Sequence, residues 1–132
     1  MSKKVLLVDD SKTIREIIKI YLMGRDIRFY DADNGVRGLQ LARIMDVDLI
    51  IVDVKMPEMD GITFMRELRA AQLPGARRTP AVLLTGETGE DLRKRGLEAG
   101  ADDFLLKPVK AEQMREIYQR FVAHAPHPAG KR

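Results

Sequence analysis

Four short apolar runs in this chain each lead directly into a residue able to do chemistry. Val5-Leu6-Leu7-Val8 is followed by Asp9 and Asp10, and Leu49-Ile50-Ile51-Val52 by Asp53. Ala81-Val82-Leu83-Leu84 is followed by Thr85, and Asp103-Phe104-Leu105-Leu106 by Lys107-Pro108. Singly, each has an ordinary explanation. Asp10 or Ser11 could cap a helix, Lys107-Pro108 could form a turn, and an Asp after a strand often opens a loop. Together they would place three carboxylates, a hydroxyl and an ammonium on one edge if the runs are neighbouring parallel strands, because ligands of such sheets bind outside the carboxyl ends.

Two carboxylates about 5 Å apart repel by roughly 3 kcal/mol at an effective dielectric near 20. A hard divalent cation with oxygen ligands would offset that, and magnesium, with manganese as substitute, is the expected ion. The constellation holds no histidine or cysteine. It therefore suits in-line phosphoryl transfer to a carboxylate better than hydrolysis by a nucleophilic triad. The cation and Lys107 would neutralise the equatorial oxygens, and the Thr85 hydroxyl would hydrogen-bond one oxygen of the product.

The elements that must position these residues are legible from periodicity. Apolar runs at Val5–Val8, Ile27–Tyr30, Leu49–Val52, Ala81–Leu84 and Asp103–Leu106 alternate with helical patterns, as in a parallel sheet covered by crossover helices. The third and fourth runs are apolar throughout and should be central. Helical stripes are expected at Ile14, Ile17, Ile18, Tyr21 and Leu22, then at Val36, Leu39, Ala42 and Met45. Further stripes fall at Ile62, Met65 and Leu68, and at Met114, Ile117, Tyr118, Phe121 and Val122. The fourth helix, about residues 90 to 99, has only Leu92, Leu97 and Ala99 to bury around Gly96, and should pack least firmly. Residues 72 to 79, with Pro74, Gly75 and two arginines, read as a surface loop.

A chain of 132 residues fits one domain. Residues 1–123 form that domain, and residues 124–132, with two prolines and no periodicity, read as a flexible tail. The formal charge is +3, of which Lys131 and Arg132 supply two, leaving the body near +1, so nucleic-acid binding gains little support. No apolar run approaches the roughly 20 residues of a membrane span, and the start is too short for a signal-peptide core. With no cysteine as well, a cytoplasmic location is expected.

Leu7-Val8-Asp9-Asp10, Ile51-Val52-Asp53-Val54-Lys55-Met56-Pro57-Glu58-Met59-Asp60-Gly61, Leu83-Leu84-Thr85-Gly86-Glu87 and Leu106-Lys107-Pro108 resemble the receiver domains of two-component response regulators, in the family's order. Asp33-Asn34-Gly35 and Ala99-Gly100-Ala101-Asp102-Asp103 add to the match, which runs from about Lys3 to Val122. The resemblance implies an α/β, flavodoxin-like (βα)5 three-layer sandwich with a five-stranded parallel sheet in the order 2-1-3-4-5. It implies that Asp53 is the phosphoacceptor and that Lys107 contacts the phosphoryl group. Asp10 and Asp53 would ligate the metal directly, Asp9 largely through water, and Lys55 through its backbone carbonyl.

The resemblance further implies a switch in which the Thr85 hydroxyl moves toward the phosphoryl group and the aromatic matching Phe104 turns inward. Phe104 lacks the hydroxyl of a tyrosine, so its inward state would rest on apolar burial alone. The readout face of the family here carries Arg93, Lys94, Arg95, Gln113, Arg115 and Gln119. Lys55 and Glu87 occupy positions that influence attack by water on the aspartyl phosphate; a pair between them could prolong its lifetime.

The expected function is that of a stand-alone, CheY-like regulator, since the chain stops soon after the fifth helix. It would receive phosphate from a histidine kinase and signal by phosphorylation-dependent binding of an effector protein, as in motility control. It would be a monomer or phosphorylation-dependent dimer that touches no membrane and turns over only its own phosphate. Alternatives are a phosphorelay intermediate that passes phosphate to a histidine phosphotransfer protein, and a receiver-fold scaffold that is never phosphorylated. A phosphatase would want an acid where Lys55 stands. A flavin protein would want a hydroxyl- and glycine-rich first loop where Asp9 and Asp10 stand.

Overall fold

A computed structural model describes residues 2–76, 78–86 and 90–123. Strands and helices alternate along it: β1 Lys3–Val8, α1 Lys12–Tyr21, β2 Ile27–Ala32, α2 Gly35–Ile44, β3 Leu49–Asp53, α3 Gly61–Ala70, β4 Ala81–Thr85, α4 Glu90–Glu98, β5 Asp103–Leu106 and α5 Ala111–Tyr118. A π-helical turn, Gln119–Ala123, continues α5. The strands pair in parallel in the order β2-β1-β3-β4-β5. Both the order and the doubly wound architecture match expectation, and β3 and β4 are buried along their whole length.

Alternation along each strand sends successive side chains to opposite faces and so builds two cores. Val5, Leu7, Leu49, Ile51, Val82 and Leu84 meet Ile18 and Leu22 of the first helical stripe and Met114, Ile117, Tyr118 and Val122 of the last. Leu6, Val8, Ile50, Val52 and Leu83 face the other way, onto Leu39, Ala42, Ile62, Phe64, Met65 and Leu68. The result is three layers, with α1 and α5 on one side of the sheet and α2 to α4 on the other.

Two stripes lie differently from the sequence reading. Val36 and Leu97 are exposed, at 47% and 38%. On α2 the inward line runs through Gly35, Gly38, Leu39 and Ala42, at i, i+3, i+4 and i+7. A Cβ on Gly38 would lie 2.9 Å from Val8 Cγ2, and one on Gly96 would lie 2.7 Å from Leu83 Cδ1. Glycines therefore take the innermost positions of both helices, letting the backbone approach the sheet and turning Val36 and Leu97 outward. Along residues 72 to 79, Leu73 and Thr79 are buried and Pro74–Ala76 forms a short 3-10 turn, so this connection is anchored at both ends. The tail, residues 124–132, lies outside the described residues, as does Glu87.

The helices that follow the reactive strand ends are capped locally. Ser11 Oγ accepts from Ile14 N at 3.3 Å, and Asp60 Oδ1 accepts from Thr63 N at 2.8 Å. Ser11, not Asp10, therefore caps α1, which leaves the Asp10 carboxylate available.

Candidate functional site

Topology brings the acids together. β1 is flanked by β2 and β3, so the chain leaves its carboxyl end at the point where the winding reverses, and a crevice opens there. Val8 is in register with Val52, which sets Asp9 beside Asp53 on adjacent strands. Asp9, Asp10 and Asp53 each offer a carboxylate oxygen, and these atoms lie within 4.8 Å of one another. Asp9 and Asp53 are only 2% and 5% exposed, whereas Asp10 is open to solvent.

Lys107 enters from β5. Its amide donates to the Thr85 carbonyl at 2.7 Å, tying the residue after β5 to the end of β4. Its Nζ then lies 2.9 Å from Asp53 Oδ1 and 3.5 Å from Asp9 Oδ2. The peptide from Lys107 to Pro108 is cis. The stem of Lys107 lines an apolar hollow together with Ile14, Ile17, Tyr21, Leu84 and Val109, so its charged head is the polar end of an otherwise apolar wall.

Burial is the main force pushing the Asp53 carboxyl above its usual range; Lys107 opposes it and Asp10 adds to it. Burial likewise raises Asp9, against a hydrogen bond from Ser11, with Asp53 adding to the rise. Burial pulls the Lys107 ammonium down, but Asp53 and Asp9 outweigh it and the group is held above its ordinary value. Even with Lys107 in place, both buried carboxyls thus stay above their usual range.

A specific atom marks the shortfall. Asp9 Oδ1 accepts from Ser11 N at 2.8 Å, but the buried Oδ2 makes no hydrogen bond among the described residues and has only the Lys107 ammonium at 3.5 Å, an ion-pair distance. A buried carboxylate oxygen left in this condition, beside two further carboxylates, is a donor set suited to a small hard dication.

Thr85, 1% exposed, ends β4 one residue beyond Leu84, the register partner of Asp53. Lys55 is exposed two residues after Asp53. Phe104 is half-buried; its Cδ1 would lie 3.4 Å from a Cβ placed on Gly96, so its ring packs beside the glycine where α4 meets the sheet. Arg93, Lys94 and Arg95 are exposed on α4, and Gln113, Arg115 and Gln119 on or just after α5. Within this group Gln113 Oε1 accepts from Lys110 N at 2.9 Å, helping to cap α5. Arg115 Nε donates to the Tyr21 carbonyl at 3.3 Å, which turns that guanidinium toward the end of α1.

Two residues matter here in ways their position in the sequence does not reveal. Gly61 donates its amide to the Val54 carbonyl at 2.8 Å, and a Cβ there would sit 2.5 Å from the Asp53 carbonyl oxygen. The start of α3 is thereby pressed against the backbone that carries Asp53. An Asp-Gly pair is a general turn signal, but it does not signal this contact. Arg15 reaches the Asp9 carbonyl at 2.6 Å, and no periodicity signals it.

Residues 5–119 match the model of the response regulator receiver domain. Over 114 residues the chain is 35% identical to the transcriptional regulatory protein SrrA of Staphylococcus aureus, covering 86% of this chain and 45% of that protein. The chain therefore spans less than half the length of that relative. Among solved structures, the chemotaxis protein CheY4 of Vibrio cholerae is 33% identical with a TM-score of 0.80, covering 92% of this chain and 100% of that one. The receiver domain of sensor histidine kinase PA1611 from Pseudomonas aeruginosa PAO1 is 29% identical with a TM-score of 0.81, covering 93% and 99%; its structure has a magnesium ion coordinated in the active-site cleft.

Proposed function

The chain belongs to the response regulator receiver family, and from that premise we propose that Asp53 accepts a phosphoryl group from a partner histidine kinase in a magnesium-dependent reaction. The observation that carries this reading is the clustering of the Asp9, Asp10 and Asp53 oxygens within 4.8 Å, with Lys107 Nζ 2.9 Å from the proposed nucleophile.

Asp10 and Asp53 would hold the ion directly, with the Lys55 carbonyl, and Asp9 through water; manganese would substitute. When bound, the ion supplies positive charge to the oxygens of the transferring group. An Asp53 carboxylate oxygen attacks phosphorus in line, and the bond from phosphorus to the kinase histidine breaks with its electron pair returning to the imidazole nitrogen. Lys107 shifts from pairing with Asp53 to pairing with a phosphoryl oxygen. The Thr85 hydroxyl donates to another, and Phe104 moves inward with it. Phosphate is released when water attacks phosphorus and the Asp53 carboxylate leaves, so turnover is confined to the domain's own phosphate.

Output is by binding: the phosphorylated form presents Arg93, Lys94, Arg95, Gln113 and Gln119, with Arg115 at the α1 side, to a protein partner or a second copy. The match to CheY4 over 92% of this chain supports a chemotaxis-like regulator, and a cytoplasmic setting is part of the same reading. Transfer onward to a histidine phosphotransfer protein uses the same residues and is the second reading.

Incubation with acetyl phosphate and Mg2+, followed by intact-mass measurement, tests the proposal. The parent should gain one phosphoryl group, and the gain should vanish in Asp53→Asn and on chelation. An unmodified parent, or a gain surviving in Asp53→Asn, rejects it.

A further inference from the structure

Arg15 lies one turn into α1, between positions of the apolar stripe, yet its side chain is only 12% exposed. Its guanidinium is shared between two acceptors on different elements. Nη1 donates to the backbone carbonyl of Asp9 at 2.6 Å, and Nε donates to Asp31 Oδ2 at 2.9 Å. Asp31 belongs to β2, in register with Leu7, and its other oxygen is 2.9 Å from Lys19 Nζ. Lys19 in turn lies 3.1 Å from Glu16. Burial alone would raise the Asp31 carboxyl, but Lys19 and Arg15 outweigh it and hold the group below its usual range, so the anchor stays charged.

The place where this fork grips matters. Asp9 leaves the ladder with its amide still bonded to the Ala32 carbonyl at 3.0 Å, and its side chain folds back on Ser11 N. Between Asp9 and the first turn of α1 the chain must aim two carboxylates, of Asp9 and Asp10, into one crevice. The Asp9 carbonyl belongs to the peptide that joins those two residues, so its orientation sets where Asp10 leaves the strand.

We propose that Arg15 is a positioning residue for the cation site: by clamping the Asp9 carbonyl to the carboxylate of Asp31 on β2, it fixes the peptide between Asp9 and Asp10 and thereby the aim of both acids. The inference rests on the reading of those acids as a magnesium site, and extends it to a residue that touches neither the ion nor the phosphoryl group.

Charge and positioning predict opposite signs. A guanidinium near the crevice repels a dication, so if Arg15 acted by charge its removal would tighten Mg2+ binding. If it acts by orientation, removal loosens binding, by roughly tenfold as for other outer residues that orient metal ligands. Arg15→Lys sharpens the distinction, because an ammonium keeps the charge but not the planar fork that reaches both acceptors.

The experiment is calorimetric titration of Mg2+ into the parent, Arg15→Met, Arg15→Lys and Asp10→Asn, with a thermal melt of each protein. Weaker binding in both Arg15 variants supports positioning. Binding equal to or tighter than the parent's overturns it, even if the melts show lost stability, since a purely structural role would lower the melting temperature and leave the affinity of the folded protein intact. Should Arg15→Met fail to fold, Arg15→Lys alone decides. A parent that takes up no Mg2+ would remove the cation site and, with it, the role of Arg15. Binding lost in Asp10→Asn but unchanged in the Arg15 variants would keep the site and sink only the clamp.

Discussion

Lys107 Nζ lies 2.9 Å from Asp53 Oδ1, so a cation that the chain itself supplies already occupies one face of the carboxylate proposed to react. In the resting protein it partly does the work of a metal. Replacing it has two consequences of opposite sign. Lys107→Met should bind Mg2+ more tightly, by roughly tenfold, because a charge competing for Asp53 and Asp9 is gone. The same variant should take phosphate from acetyl phosphate about 100-fold more slowly, having lost a donor to the transition state. Calorimetry and an intact-mass time course read the two effects separately; a loss of Mg2+ affinity would contradict the competition.

Gly61→Ala should destabilise the fold by about 2 kcal/mol, since the added methyl meets the Asp53 carbonyl oxygen at 2.5 Å and Val54 Cα at 2.8 Å, both backbone atoms with little room to yield. Displacing that backbone also displaces Asp53. Urea unfolding gives the first quantity, and slower phosphorylation of the folded fraction gives the second. A midpoint equal to the parent's would show that α3 can back away from the sheet.

Asp31→Asn should carry a pH signature. A carboxyl whose folded pKa lies below its unfolded value stabilises fully above the ordinary 3.8 and loses that contribution as pH falls through the lowered value. The substitution should therefore cost up to about 1 kcal/mol near neutrality, and the difference from the parent should close under acid, below pH 3.8. Urea unfolding at a series of pH values checks this; a constant difference down to acid pH would mean that the ion pairs with Arg15 and Lys19 contribute nothing.

Asp102→Ala should be the most damaging surface-proximal change, at about 3 kcal/mol. Asp102 Oδ2 accepts from Ala81 N at 2.9 Å and Arg69 Nη2 at 3.0 Å, while Oδ1 accepts from Arg78 at 2.6 Å. Its loss leaves the Arg69 guanidinium, only 18% exposed, without its counter-charge. A thermal melt is sufficient, and a shift within error of the parent would show that solvent reaches Arg69 freely.

The fold was legible because alternating apolar runs and helical stripes are local patterns, and the candidate site because its residues stand at strand ends that the topology gathers. What could not be read was tertiary. Arg69 and Asp102 are 33 residues apart, and Arg15 and Asp31 are 16 apart, with nothing periodic to connect them. Glycine misled in a different way. Hydrophobic periodicity assigns it no weight, so the apolar stripes run through Val36 and Leu97 while Gly38 and Gly96 hold the positions nearest the sheet.

The Asp102 cluster sits at the amino ends of β4 and β5, and the reactive groups at the opposite ends. The five residues of β4 hold them about 17 Å apart. Two arginines and one aspartate leave a single positive charge, which at that range is felt by at most about 1 kcal/mol before salt screening. A change at the Asp102 cluster should therefore alter the stability of the fold while leaving the potential at the proposed phosphoacceptor almost untouched.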